Sequence, residues 1–115
     1  MSKLEVHIGG TFAGMKRRAL GAVQRAKAGE TVSESHLSFA SLDVFTAIMT
    51  PKRLDLLRHV HREPQASVAA LARALGRDYK RVHEDVEALT AAGLLDRQEG
   101  ILQAPYDAIR AELVM

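Results

Sequence analysis

The sequence predicts a mainly α-helical fold with a small β component, and three observations support this class. Aromatic residues make up only 4% of the chain, so the core must be built largely from Leu, Val, Ile and Ala. Apolar residues recur with helical spacing in several segments. The alternation of apolar and polar residues that is typical of strands is confined to short stretches.

The composition limits the class of protein and its setting. The chain of 115 residues contains no Cys, which excludes disulfides and thiolate metal sites and fits a reducing cytoplasm. Its net charge of +2 is only mildly basic and does not by itself indicate nucleic acid. No segment approaches the ~18 apolar residues of a membrane span, and the N-terminus lacks the apolar core of a signal peptide. We therefore expect one cytoplasmic domain with an extension and no membrane partner.

The first 49 residues are expected to form that extension, which serves dimerisation or partner binding. Lys3 to Ile8 alternates apolar and polar residues and predicts a half-buried strand, which Gly9-Gly10 ends. Thr11 to about Ala28 has helical spacing, and its Lys16-Arg17-Arg18 triplet is either a solvated face or a contact to DNA phosphates.

The rest of the extension is predicted to be a loop and a short helix. Glu30 to Ser38 is polar and predicts the loop. Ser41 is suited to cap a helix over Leu42 to Met49. The residues of this helix that are expected to face inward are Leu42, Phe45, Ile48 and Met49.

The domain itself, residues 50–107, begins with a helix that Thr50 caps and Pro51 opens. Pro64 follows the end of this helix. Ser67 to Gly93 then predicts two short helices joined by a turn of about three residues, the arrangement of a DNA-reading helix-turn-helix.

Capping residues and apolar stripes define these two helices. Ser67 can accept hydrogen bonds from the first amides of one helix, and Gly76 ends it. Asp78 is a second N-cap signal, and Gly93 ends the second helix. The apolar stripes are Val68, Leu71, Ala72 and Leu75 in the first helix, and Val82, Val86 and Leu89 in the second.

The exposed face of the second helix carries the functional signal. The side chains expected to point away from its apolar stripe are Lys80, Glu84 and Glu87, with Arg81 and His83 on the flanks. Arg77, Lys80 and Arg81 place three cations where the helix dipole is already positive, so an anion such as a DNA phosphate is expected there. The alternative is an ordinary solvated face, since Lys80–Glu84 and Arg81–Asp85 are both i,i+4 pairs.

Beyond the second helix, the pattern predicts a β-hairpin of Leu94 to Gln98 and Ile101 to Ala104. The glycine of its Glu99-Gly100 turn can take the positive φ that a tight turn needs. Arg97 and Gln98 lie near the tip, where they are candidates to contact a minor groove or a flanking phosphate.

The C-terminal residues 108–115 fit either a strand or a helix. Alternation of Ile109, Ala111 and Leu113 with polar residues favours a strand, whereas Ile109 and Leu113 alone also suit a helical turn. As a strand, this segment is expected to pack on the N-terminal strand. The paired ends would then carry the homodimer contact, because lone strand edges need covering.

Enzymatic and metal chemistry are not indicated. The five His residues lack the HExxH spacing, and without Cys a structural zinc site is not expected. The chain has neither a dinucleotide-binding fingerprint nor a P-loop, and its isolated Ser, His and Asp residues imply no catalytic triad. We expect no enzyme activity, no metal and no cofactor.

The domain over residues 50–107 resembles a known family. A similarity to the winged helix-turn-helix of MarR-like prokaryotic transcriptional regulators rests on Thr50-Pro51-Lys52-Arg53-Leu54-Asp55-Leu56-Leu57, Ser67 to Leu75, Gly76-Arg77-Asp78-Tyr79, Val82-His83-Glu84-Asp85-Val86, Leu89 and Gly93-Leu94-Leu95. The resemblance covers Thr50 to Asp107 well and is nearest to a subfamily of small prokaryotic DNA-binding proteins, some of them suspected antitoxins of toxin–antitoxin pairs. It implies a winged helix-turn-helix with an N-terminal strand-helix extension, in which the segment after Leu94 is the wing.

Two functions of different class follow. The first is a sequence-specific repressor that acts as a homodimer, of which an autoregulating antitoxin is one form, and places two copies of the Asp78–Ala92 helix in successive major grooves of double-stranded DNA. Its candidate DNA-binding residues are Ser67, Arg77, Tyr79, Lys80, Arg81, His83, Glu84, Arg97 and Gln98. By the resemblance, Ser67 contacts a backbone phosphate, and Arg77, Tyr79, Lys80 and Arg81 lie at the groove. Glu84 is suited to accept from a cytosine amino group.

The second function is a protein-interaction module, for example one that neutralises a cognate toxin through the N-terminal third. DNA binding would then be secondary or absent. The acidic residues on the exposed face of the second helix favour this alternative.

Overall fold

The computed structural model of the chain describes residues 2–10 and 34–115. The helix expected over Thr11 to Ala28 and its basic triplet lie outside the described residues. In chain order, the described elements are β1 (Lys3–Ile8), β2 (Glu34–Phe39), α1 (Leu42–Ile48), α2 (Pro51–Arg62), α3 (Val68–Leu75), α4 (Tyr79–Ala91), β3 (Asp96–Gln98), β4 (Ile101–Gln103) and β5 (Ala108–Leu113). None of these helices is both long enough and apolar enough to cross a bilayer.

The architecture is a mixed α/β fold, so the prediction of a mainly α-helical winged helix-turn-helix is wrong. A parallel three-stranded sheet and an antiparallel pair of strands stand beside the four described helices. Parallel pairing joins segments that are far apart in the sequence, and it leaves no local signal beyond the alternation of each strand. The periodicity of the chain therefore underestimated its β content.

The chain divides into two compact units, with the boundary inside α1. We call residues 1–45 and 106–115 the sheet unit, and residues 46–105 the helical unit.

The sheet unit is organised around β1, which pairs in parallel with β2 on one side and with β5 on the other. The register aligns Ile8 with both Phe39 and Leu113. Leu4, Val6 and Ile8 are buried on one face of this central strand, as the alternation in the sequence predicted. The tail is a strand and not a helix.

Two expectations for the segment before the helical unit are wrong. The polar stretch Glu30 to Ser38, predicted to be a loop, contains most of β2, because five of its residues pair with β1. Ser41 caps α1 by accepting from the Val44 amide at 3.3 Å, but no residue of α1 is buried. Leu42, expected to face inward, is 48% exposed, and Phe45 is only half-buried against the edge of the Phe39 ring. Helical spacing therefore predicted the apolar stripe of α1, but it did not show whether another part of the protein packs against that stripe and buries it.

The helices of the helical unit begin at the predicted caps. Thr50, Ser67 and Asp78 accept from the amides of Arg53, Ala70 and Arg81 at the starts of α2, α3 and α4. Gly76 takes the left-handed conformation that ends α3, with φ of 63°. The buried side chains of these helices are Leu56, Leu57, Val60, Val68, Leu71, Ala72, Val82, Val86 and Leu89. Local capping and apolar spacing thus predicted these three helices correctly.

The hairpin of β3 and β4 packs on the same core through Leu102, which is fully buried. The backbone of Leu102 exchanges two hydrogen bonds with Gln65, at 2.8 and 3.0 Å. This bridge joins the hairpin to the segment between α2 and α3, so the position of the hairpin within the helical unit is defined by backbone contacts.

Candidate nucleic-acid interface

The first turn of α4 presents two exposed cations, Lys80 and Arg81. Of the expected i,i+4 ion pairs, neither Lys80–Glu84 nor Arg81–Asp85 occurs in the described part of the chain. The backbone amide of Arg81 bonds to the Asp78 carboxylate at 3.2 Å, while its guanidinium remains at the surface. Both cations therefore lie at the positive end of the α4 dipole beside the capping Asp78 carboxylate, and neither side chain forms an ion pair within the described residues.

Asp85 is engaged by two other arginines. One of its carboxylate oxygens accepts from Arg53 Nε at 3.0 Å, and the other accepts from Arg77 Nη2 at 2.7 Å. The Asp85 side chain is only 14% exposed, so this carboxylate needs partners, and two guanidinium groups supply them. The three side chains carry a net charge of +1, which adds to the positive field at the start of α4.

Arg53 extends this network to the start of the helical unit. Its Nη1 group donates to the carbonyl oxygens of Ala47 and Ile48, at 3.4 and 3.1 Å. Arg53 and Asp85 were not among the residues predicted from the sequence. A signal for Asp85 was present, because on a helical wheel it lies beside the apolar stripe of Val82 and Val86, where a charged group requires a partner.

The other predicted residues at the start of α3 and on α4 differ in exposure and in the contacts that their side chains make within the protein. The Ser67 hydroxyl oxygen accepts from the Ala70 amide at 3.0 Å, which leaves its own hydrogen to donate. Tyr79 is 54% exposed, and its ring is tilted against that of His83 with 5.9 Å between the centroids. Glu84 is exposed on the same face of α4 as Lys80.

The hairpin residues are linked to α4 through Glu87. Its carboxylate oxygen lies 3.7 Å from Arg97 Nη1 on β3 and also 3.7 Å from His83 Nε2. Gln98, nearer the tip, is exposed and accepts from Gln103 Nε2 at 3.4 Å. Arg97 is thus partly neutralised, whereas Lys80 and Arg81 are not.

The predicted residues therefore fall into two groups, according to whether their side chains already contact another residue of the protein. Lys80, Arg81 and Glu84 are exposed, and their side chains make no hydrogen bond or ion pair among the described residues. The predicted residues whose side chains already contact another residue of the protein are Ser67, Arg77, Tyr79, His83, Arg97 and Gln98.

Comparison with known proteins places most of this surface inside one family segment. A family model described as HVO_A0114 matches residues 48–111, which contain α2, α3, α4 and the hairpin. No curated protein and no solved structure matches the chain significantly.

Proposed function

The chain belongs to the HVO_A0114 family, and from the basic start of α4 within the matched segment we propose that it binds double-stranded DNA. In this proposal the protein is a sequence-specific transcriptional repressor that acts as a homodimer, with one copy of α4 in each of two major grooves.

The observation that carries the proposal is the exposure of Lys80 and Arg81 at a helix N-terminus without acidic partners among the described residues. Cations at this end of a helix are unfavourable by some tenths of a kcal/mol, and the Asp78 carboxylate that caps α4 supplies one negative charge against the two cations. A DNA phosphate removes that cost, and a guanidinium or ammonium group can also bind the acceptor atoms of guanine.

The arginine network behind α4 supports the same proposal. Asp85 holds Arg77 at 2.7 Å, so its guanidinium is ordered before any ligand arrives. An ordered side chain loses less conformational entropy on binding, which favours a phosphate contact that positions α4 while Lys80 and Arg81 contact base edges.

The test is binding of a DNA fragment from the protein's own promoter, with excess non-specific DNA as competitor. Lys80→Ala and Arg81→Ala are each expected to raise the Kd roughly tenfold and to reduce the dependence of affinity on salt, because each removes a phosphate or base contact. The matched control is Arg58→Ala, which removes one exposed cation from α2 and is expected to leave the Kd within about twofold of the unsubstituted protein.

Three results would count against DNA binding through α4. These are an equal loss of affinity in the Arg58 control, no loss in either α4 variant, or affinity for DNA that does not change with salt.

A second candidate function is supported by α1. Leu42 is 48% exposed and Val44 is 43% exposed on this short helix, and such apolar surface is typical of protein-binding sites. In this candidate the chain is an antitoxin that binds a toxin protein. Salt-insensitive binding to the product of a neighbouring gene, lost in Leu42→Ser but kept in Lys80→Ala, would support it over the first.

A further inference from the structure

One edge of the sheet is formed by β5 and is accessible to solvent. The strand order places β5 at the end of the sheet, and no other strand of the described residues lies beyond it. Five of its six residues are exposed, including Leu113 at 56%. An edge of this kind carries unpaired backbone groups that can bond to another strand.

The hydrogen bonds of β1 show which residues of β5 point outward. Val114 N bonds to Ile8 O at 2.9 Å, whereas Gly9 N bonds on the opposite side to Phe39 O. Alternate residues of a strand point their backbone groups to the same side, so Arg110 and Glu112 bond towards β1 together with Val114. The outward N–H and C=O groups of β5 are then those of Ile109, Ala111 and Leu113.

In one arrangement of two β5 strands, both the outward backbone groups and the side chains are complementary. If two copies of β5 pair antiparallel about a two-fold axis at Ala111, Arg110 lies opposite the partner's Glu112, and Ile109 lies opposite the partner's Leu113. The outward backbone groups also face each other in this register, so the three pairs can exchange hydrogen bonds. The strand is thus complementary to itself in charge, in apolar character and in backbone direction.

The neighbouring registers lack this complementarity. A two-fold axis at Arg110 places two arginines opposite each other, and an axis at Glu112 does the same with two carboxylates, both of which are destabilising. An axis between two residues pairs outward backbone groups with inward ones and leaves them unbonded.

We propose that β5 pairs with β5 of a second copy of this chain, with Ala111 on the two-fold axis, to form a six-stranded sheet. The exposed Leu113 then contacts the partner's Ile109. The charged side chains extend rows that already exist, since Arg110 lies 3.8 Å from Glu5 and Glu112 lies 3.3 Å from His7 in each copy. This pairing does not depend on DNA binding and is tested without DNA.

Sedimentation velocity of the full chain, over a wide range of protein concentration, measures the pairing. The unsubstituted chain is expected to dimerise. Arg110→Glu and Glu112→Arg each place like charges opposite one another twice, and each is expected to raise the dimer dissociation constant roughly tenfold or more. The double variant R110E/E112R restores opposite charges at both positions, and its dimer is expected to return.

Mixing the two single variants is the sharpest test. In a heterodimer of R110E with E112R, two acidic residues of one chain face two basic residues of the other, so the mixture is expected to form dimers that neither variant forms alone. Only folded chains in the proposed register give this result, which also shows that the single variants have not unfolded.

A backbone variant provides a second, independent measurement. Ala111→Pro removes the outward amide at the axis while leaving the inward bonds to β1, and proline is tolerated at such edge positions. It is expected to abolish dimerisation and to leave the far-UV circular dichroism unchanged. The control for the charge variants is Arg58→Glu on the exposed face of α2. It changes the net charge by the same amount as Arg110→Glu and is expected to remain dimeric.

Three results would overturn the proposal. A chain that stays monomeric at the highest soluble concentration has no such interface. Dimers that persist in both single variants form through another surface. A mixture that remains monomeric shows that Arg110 does not face the partner's Glu112.

Discussion

Asp85 determines which cations near the start of α4 are paired within the protein and which remain available for a ligand. Its carboxylate binds Arg53 and Arg77, at 3.0 and 2.7 Å, and not Arg81, which is four residues away from it on the same helix. Spacing alone favoured Arg81 as the partner of Asp85. The half-buried position of the carboxylate instead favours guanidinium groups that are themselves held by the protein, and this choice leaves Arg81 available for a ligand.

Asp85→Asn is expected to lower the free energy of unfolding by about 2 kcal/mol, because two half-buried guanidinium groups lose their counter-charge. Urea denaturation of both proteins measures the difference. Glu84→Gln is the matched control, since it neutralises an exposed carboxylate one residue away, and it is expected to change stability by less than about 0.5 kcal/mol. Equal stability of the two variants would show that the Asp85 network contributes nothing to folding.

The two-residue turn of the β3–β4 hairpin fixes the backbone conformation of both of its residues. Gln98 pairs with Ile101, so only Glu99 and Gly100 form the turn, and both have positive φ, 52° and 82°. Two-residue turns of this hand match the twist of the strands, but they force the first residue into a conformation that a glutamate adopts at a cost. The glycine was predicted from the sequence, whereas the strain at Glu99 was not.

Glu99→Asn is therefore expected to raise the free energy of unfolding by about 0.5 kcal/mol, since asparagine tolerates the left-handed conformation better. Gly100→Ala is expected to lower it by about 1 kcal/mol. A Cβ at position 100 would meet no atom within 4 Å, so this cost is conformational and not steric. Denaturant midpoints measure both variants, and the turn assignment fails if Glu99→Asn is the less stable of the two.

At the scale of the whole molecule, two units of different construction share one chain. The helical unit is built from contiguous residues, and its helices and hairpin follow each other directly in the sequence. The sheet unit is assembled from both ends of the chain, with Lys3 paired to Ala108. Its strands cannot form separately, because β1 supplies the backbone partners for both β2 and β5.

Tyr106 links the stability of the folded chain to pH. Burial raises its pKa from 10.0 to about 12, because the half-buried site disfavours the phenolate. The contribution of the neutral phenol to stability is thus fully present below about pH 10 and is lost as the pH rises through about 12. The expected loss is below about 2.7 kcal/mol, the equivalent of two pKa units, because solvent reaches part of the phenol and weakens the effect.

Denaturation at a series of alkaline pH values measures this effect. In Tyr106→Phe no phenol titrates at this position, so the variant is expected to lose less stability than the unsubstituted chain between about pH 10 and pH 12. Parallel pH profiles for the two proteins would exclude a burial effect at Tyr106.

The sequence by itself determined the helices of residues 51–91, the strand β1 and the position of the hairpin turn. Caps such as Thr50, Ser67 and Asp78 act on amides three residues away, and apolar stripes repeat within a helical turn, so this information is local. The same local patterns identified Lys80 and Arg81 as exposed cations.

Only the tertiary structure decided that the fold is mixed α/β, that polar β2 is a strand, and that Asp85 binds Arg53. Each of these depends on partners that are distant in the sequence: 105 positions separate His7 from Glu112 across the sheet, and 32 separate Arg53 from Asp85. Pairing over such distances depends on which surfaces meet when the chain folds. The local sequence around a strand or a charged side chain does not specify which distant strand or side chain will pair with it.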